Sequence, residues 1–414
     1  MYQKTVLPHG VRVVTEALPH FHSVSLGIWL NTGSRDETAG ENGMAHFLEH
    51  MAFKGTGRRS ASELACQIDQ LGGTANAFTT QENTCFHGKV LAAELPRLFD
   101  LLSDILLNPV YDTAELEKER QVILQEIDEL EDTPDEYVHV LFNRHFYGDS
   151  AFGRPIMGSA DTVCNFTRLL LLDYRQSHYH PQDIVIAAAG RLEHEALVNL
   201  AAAAFGDFHN CRCSRPRQKV ATYPGAHNFL KDLEQVHLVA GGKAPAAGED
   251  SRYMAILLNL ILGGNMSSRL FQEIRERQGL CYSIYSFLHC FSDAGLLAIS
   301  ASVSPENFEQ LLDTIRREIE ALKTTGVSPQ ELQAAVDYSR ASLYLSAEDS
   351  DNRMMRLARN ELSFGHYLSY EEIIDHLASV TPHQVIEKAQ DWLDLGSWQI
   401  VCLGPLKAST ISIG

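Results

Sequence analysis

Alternation and helical periodicity divide the chain into recurring strand and helix segments. Val11-Arg-Val-Val-Thr and Ser23-Val-Ser-Leu-Gly-Ile-Trp-Leu have the apolar, β-branched character of paired strands. Residues 44–54 and 60–71 repeat apolar positions at helical spacing, the second segment opened by the cap residue Ser60 and closed by Gly72-Gly73. Thr74–Val90 returns to strand, Leu95–Leu107 to helix, and Thr113–Leu130 is a strongly amphipathic helix. Asp183-Ile-Val-Ile-Ala-Ala-Ala-Gly is a run apolar at nearly every position, the pattern of a strand buried on both faces, and a helix follows over 194–205. The pattern predicts an α+β protein of mostly antiparallel sheets packed with helices.

The order of elements then recurs. Pro109-Val-Tyr-Asp-Thr-Ala-Glu-Leu-Glu leads into a long helix ending near Tyr147-Gly148, and Gly326-Val-Ser-Pro-Gln-Glu-Leu leads into one ending at Phe364-Gly365. Pairing Leu116 with Leu332 sets an offset of about 216 residues, which, within a residue or so, also brings Ile184–Gly190 opposite Gln399–Gly404. A period of this size means two tandem homologous domains, not a solenoid. The basic, turn-rich stretch between them, with Arg212, Arg215, Pro216, Arg217, Lys219 and Pro224, reads as a linker. The predicted boundaries are 1–208, a linker over 209–232, and 233–414.

Composition narrows the function classes. Of 414 residues, 53 are acidic and 34 basic, and the net charge of −19 argues against a general nucleic-acid-binding role, which needs a basic face. With 45% hydrophobic and 21% charged residues the chain is globular in composition, and its apolar runs are strand-length, far short of the ~20 residues of a membrane span. The N-terminus enters strand-like sequence at once, without the pattern of a signal or transit peptide, so the expectation is a cytoplasmic protein with reduced thiols. Cys211-Arg-Cys213 is the one close cysteine pair, and its spacing matches neither a zinc knuckle nor a thioredoxin motif.

The chemistry concentrates in Gly43-Met-Ala-His-Phe-Leu-Glu-His-Met-Ala. On a helix, His46 and His50 stand about 40° apart around the axis and one turn along it, with Glu49 on the adjoining side. Two imidazoles so placed can hold one zinc, with a carboxylate beside it to handle protons. A catalytic zinc needs a third protein ligand and an open position. Glu119 and Glu126, seven apart on the helix Glu115–Glu129, supply candidates on one face; the other acids of that helix read as a solvated surface.

His46-Phe-Leu-Glu49-His50, followed 76 residues later by Glu126, resembles the pitrilysin-type inverzincins, which include mitochondrial processing peptidase, insulin-degrading enzyme and short bacterial peptidases. The resemblance extends over essentially the whole chain, through Leu7-Pro-His-Gly-Val-Arg-Val-Val, Gly33-Ser-Arg-Asp-Glu, Gly72–Thr80 and Glu117–Glu126. It implies a zinc metalloendopeptidase with one Zn2+ per chain, bound by His46, His50 and Glu126, with Glu49 as the general base. Glu119 matches a second acid that supports a histidine without binding metal. Asn76 and Ala77 match the strand whose backbone pairs with substrate.

After residue 210 no His-x-x-Glu-His occurs, and at the offset of 216 Glu119 faces Ala335 and Glu126 faces Ser342. The second copy therefore lacks the metal set. Its segment Ser268–Tyr282 resembles the family's non-metal half, whose Arg and Tyr, here Arg275 and Tyr282, reach the substrate. The resemblance implies extended peptides or unfolded segments as substrates, within a chamber built from four such halves. That makes a homodimer the expectation and leaves a heterodimer with a related chain open. The charge has two readings, solubility and an acidic chamber that prefers basic peptides. The rival function is a non-catalytic scaffold or partner subunit; such relatives lack part of the metal set, whereas His46, Glu49, His50 and Glu126 are all present here.

Overall fold

A strand covered by helices on both faces has no polar side to show, and this accounts for the all-apolar segment near residue 184. In the computed structural model, which describes residues 1–208 and 217–407, that segment is a central strand with every residue buried. The first repeat contains strands β1 (Tyr2–Val6), β2 (Arg12–Ala17) and β3 (Ser23–Leu30), then helices α1 (Met44–Ala52) and α2 (Ala61–Gln70). Strands β4 (Thr74–Thr79) and β5 (Thr84–Leu91) lead to α3 (Leu95–Leu107), α4 (Thr113–Asp132) and α5 (Pro134–Tyr147). Helices α6 (Ala160–Cys164) and α7 (Arg168–His178), strand β6 (Ile184–Gly190) and α8 (His194–Phe205) complete it.

The second repeat runs through β7 (Gly225–Leu230), β8 (Val236–Lys243), α9 (Arg252–Asn259), β9 (Cys281–Cys290) and β10 (Gly295–Val303). It ends with α10 (Phe308–Thr324), α11 (Pro329–Ser346), α12 (Ser350–Phe364), α13 (Tyr370–Ala378), α14 (Pro382–Trp392) and β11 (Gln399–Gly404). Between α9 and β9, Leu260–Gly264 and Phe271–Arg277 wind as π-helix, with bonds such as Gln278 N–H to Glu273 O at 3.1 Å.

The duplication is visible in the sheets. The first has the order β1-β2-β6-β3-β5-β4 and the second β7-β11-β8-β10-β9. Setting β1 aside, each position matches, including the one parallel pair, β2 with β6 and β7 with β11. All other neighbours are antiparallel.

The segment assigned to a linker differs from expectation. Residues 209–216, which include Cys211 and Cys213, lie outside the described residues, while Gly225–Leu230 is not linker but the edge strand β7, paired in register with β11. It is short and no residue of it is fully buried, so the sequence carries no sustained apolar alternation to mark it as a strand. The six described cysteines are unpaired. Among the described residues no helix is long and apolar enough to cross a membrane.

The described residues form two compact units that cut across the repeats. One lies within Met1–Asp128, Arg154–Gln218 and Leu345–Tyr367; the other within Glu129–Gly153, Lys219–Tyr344 and Leu368–Gly414. The predicted contiguous boundaries therefore do not match the units: α5 folds in the second unit and α12 in the first. The break that frees α5 follows Asp132, where Pro134 opens a new helix at a position that needs no N–H.

In the first unit, helices α1, α3, α4, α7 and α8 cover one face of the sheet through Val24, Leu26, Ile28 and Leu30. The opposite face, with Val14, Trp29, Val185 and Ala187, is covered by Met354, Leu357 and Ala358 of α12. Close approach requires Gly27, where a Cβ would lie 2.6 Å from Met354 Sδ. Ser350 Oγ bonds Ser25 Oγ at 2.8 Å, and Glu361 pairs with Lys4 at 2.7 Å. In the second unit Val138, Leu141, Phe142 and Phe146 of α5 cover Val239, Leu296, Ala298 and Val401 in the same way.

Candidate metal centre

Helix α1 buries Met44, Ala45, Phe47, Leu48, Met51 and Ala52, and this leaves His46, Glu49 and His50 together on its half-buried face. Its N-cap, Gly43, is left-handed at φ 95° and has no side chain to meet the free N–H groups. A Cβ there would stand 2.6 Å from Met157 O. The capping function falls instead to Glu37, six residues upstream and 4% exposed. Its Oε2 accepts from Gly43 N–H at 2.9 Å and from Asn42 Nδ2 at 3.3 Å, and its Oε1 accepts from Ala45 N–H at 2.8 Å. A carboxylate at this end also meets the positive pole of the helix. Burial nevertheless pushes the Glu37 carboxyl up to about 8, against the pull of these donors and of Arg154.

Helix α4 supplies the acids. Leu116, Ile123 and Ile127 hold it against the core, and Glu119 and Glu126 point along the face that meets α1. Glu126 Oε2 lies 3.8 Å from His46 Nε2 and 3.6 Å from His50 Nε2, and one donor atom from each residue falls within 4.8 Å of the others. Three donors bound tetrahedrally to one zinc at about 2.0–2.2 Å would stand about 3.4 Å apart. The N, N, O set is that of a catalytic zinc with an open position, so the residues fit the ion. Burial, and then His50, lower the His46 imidazole to about 4, which keeps it in the neutral form a ligand requires.

Each remaining polar group has a place around this set. Glu119 Oε2 meets His50 Nδ1 at 3.1 Å, so the two acids flank the His50 ring, one at each nitrogen. Thr79 donates its hydroxyl to Glu49 Oε2 at 2.5 Å. The Glu49 carboxyl sits above its ordinary value: burial is the main cause, Thr79 and His50 oppose it, and Glu126 adds to it.

Thr79 lies on β4, an edge strand of the first sheet. Ala77, on the same face as Thr79, packs in the core. Asn76 projects to the other face and its Oδ1 accepts from Ala77 N–H at 2.9 Å. Arg275 and Tyr282 belong to the second unit, where the Arg275 guanidinium stands 4.8 Å from the Tyr282 ring and 4.7 Å from that of Phe271. Tyr282 is 81% exposed on β9, the edge strand that corresponds to β4.

Three participants escaped the sequence reading: Glu37, Thr79 and Lys54, whose ammonium is 2.6 Å from Glu119 Oε1. Glu37 and Thr79 lie in the quoted segments Gly33–Glu37 and Gly72–Thr80, but nothing in their spacing ties them to the histidine helix.

The chain is similar to known proteins over most of its length. Residues 12–160 match the model described as Insulinase (Peptidase family M16), and residues 165–338 match that of the Peptidase M16 inactive domain. An uncharacterized zinc protease of Mycobacterium tuberculosis (strain H37Rv) is 40% identical over 392 residues, covering 92% of this chain and 89% of the relative. One from Bacillus subtilis (strain 168) is 37% identical over 385 residues, covering 93% and 94%. The crystal structure of a protease from Helicobacter pylori superposes with a TM-score of 0.90 at 20% identity, covering 98% of this chain and 99% of that one. A Pseudomonas fluorescens structure described as a peptidase M16 inactive domain has a TM-score of 0.91 at 19% identity, covering 99% and 100%. The fold follows from the last two, and the two family matches, together with the near-complete match to the zinc proteases, show that the chain belongs to peptidase family M16.

Proposed function

We propose that this chain is a zinc-dependent endopeptidase that hydrolyses extended peptides or unfolded segments. The observation that carries the reading is the convergence of His46, His50 and Glu126 beside Glu49, with Glu49 bonded to the edge strand β4. One zinc per chain would be held by His46, His50 and Glu126. When bound, it supplies Lewis acidity at the scissile carbonyl and makes water more acidic.

The protein's own groups do the rest. Thr79 occupies Glu49 Oε2, which leaves Oε1 to take a proton from the attacking water and deliver it to the leaving amine. The unpaired side of β4 offers main-chain groups around Ala77 to a substrate strand, which selects extended backbone over folded protein. Asn76 lies on the same strand and, by the resemblance of its segment, its carboxamide assists the scissile peptide. By the resemblance of their segment, Arg275 grips a substrate carbonyl or carboxylate, and Tyr282 donates to the developing oxyanion. The same resemblance supports a homodimer that encloses the peptide, with a related partner chain as the alternative, and the acid excess supports basic peptides as its preferred guests.

The test combines metal analysis of the purified protein with chelator-sensitive cleavage of a random peptide library. Glu49→Gln is expected to keep zinc and lose about 10²–10⁴-fold in turnover. Wild-type turnover in that variant would refute the assigned base. A metal-free and inactive wild-type protein would favour the scaffold reading.

A further inference from the structure

Both oxygens of Glu119 are committed, and neither to the metal position. Oε2 meets His50 Nδ1 at 3.1 Å and Oε1 meets Lys54 Nζ at 2.6 Å. The Glu119 side chain is only 7% exposed, so its carboxylate needs a partner to be tolerated there. Lys54 follows directly on the C-cap of α1, Phe53, where the negative end of the helix favours a cation. One helix and the turn that ends it therefore carry both the ligand His50 and the cation that holds the acceptor of its second nitrogen.

Two contrasts give this arrangement a function. His46 has no counterpart: its Nδ1 is buried without a hydrogen-bond partner among the described residues. Glu119 and Glu126 share one face of α4 and both approach His50, one at each ring nitrogen. The two carboxylates are alike in chemistry; Glu119 differs from Glu126 in its deeper burial and in having Lys54 as a partner.

We propose that Lys54 is a positioning residue of the metal centre: its ammonium holds Glu119 against His50 Nδ1, so that Nε2 faces Glu126 and Glu119 stays out of the ligand set. The inference rests on the assignment of His46, His50 and Glu126 as zinc ligands. A proton on His50 Nδ1, donated to Glu119, leaves the Nε2 lone pair for the metal. Loss of Lys54 frees one Glu119 oxygen and removes its counter-charge, so the ring is no longer fixed.

Zinc affinity of the metal-stripped full-length protein, measured by competition with a chromophoric chelator, tests this without reference to activity. Lys54→Met is expected to weaken zinc binding about 10- to 100-fold, and Glu119→Gln by a similar factor. The double variant should bind no more weakly than the weaker single, because the two residues act through one contact. Lys54→Arg should recover part of the loss, since it keeps the charge but not the shape. Should Lys54→Met fail to fold, the double variant is still expected to bind zinc as Glu119→Gln does, because the neutral amide that replaces the Glu119 carboxylate needs no cation. Wild-type zinc affinity in Lys54→Met, or multiplied losses in the double variant, would overturn the proposal. Glu126→Gln separates the two levels: undiminished zinc binding in that variant would refute the ligand assignment itself.

Discussion

Glu37→Ala removes the side chain that meets the N-terminus of the metal helix. Gly43 and Ala45 N–H then lose their acceptors at 2.9 and 2.8 Å, and the Gly43 N-cap offers no substitute. An unmet buried donor costs about 1–3 kcal/mol, so the pair costs about 2–6 kcal/mol. Part of this is returned because a polar carboxyl group no longer has to be buried, which places the expected loss at about 2–4 kcal/mol. Denaturant unfolding of the metal-stripped protein is the proper assay, since bound metal would add its own stabilisation. The pH profile gives a second measure. Burial raises the Glu37 carboxyl from 4.5 to about 8, so the folded state holds a proton that the unfolded chain releases. Its contribution is full below about 4.5 and is lost as pH rises to about 8, on the order of 5 kcal/mol at ~1.4 kcal/mol per pH unit. Glu37→Gln should lack that decline. A Glu37→Ala protein within ~0.5 kcal/mol of wild type, the range of an inert surface change, would refute the argument that Glu37 anchors α1.

Thr79→Val should retain zinc and lose about 10- to 100-fold in turnover, since a hydrogen bond to a charged group contributes ~1.5–3 kcal/mol; unchanged turnover with peptide substrates would detach Thr79 from Glu49. Met354→Ala should cost about 2–5 kcal/mol, because the side chain is fully buried. Although Met354 belongs to the second repeat, hydrogen exchange should rise in β3 and β6 of the first unit; a rise confined to β8 and β10 would contradict the exchange of helices.

Much of the site was legible because its residues are neighbours in sequence. His46, Glu49 and His50 are set on one helix face by periodicity alone, and Glu119 and Glu126 on another. Ser60 capping could be read in the same way, and it forms with Glu63 N–H at 3.3 Å. The repeat was legible for a related reason: duplicated elements keep their order and spacing, and the strand orders of the two sheets repeat accordingly.

What the sequence by itself determined, then, is the set of groups that a single helix or a fixed spacing presents. The tertiary structure decided which groups meet across elements. Thr79 reaches Glu49 because β4 runs beside α1, and Lys54 and His50 divide the oxygens of Glu119 because α4 crosses the same helix. It also decided that α5 and α12 fold away from their own repeats. Each sheet needs an apolar cover on its second face, and a helix close by in sequence or two hundred residues away satisfies that need equally well. Hydrophobic burial has no direction along the chain, so periodicity records that a face is covered and not by which helix.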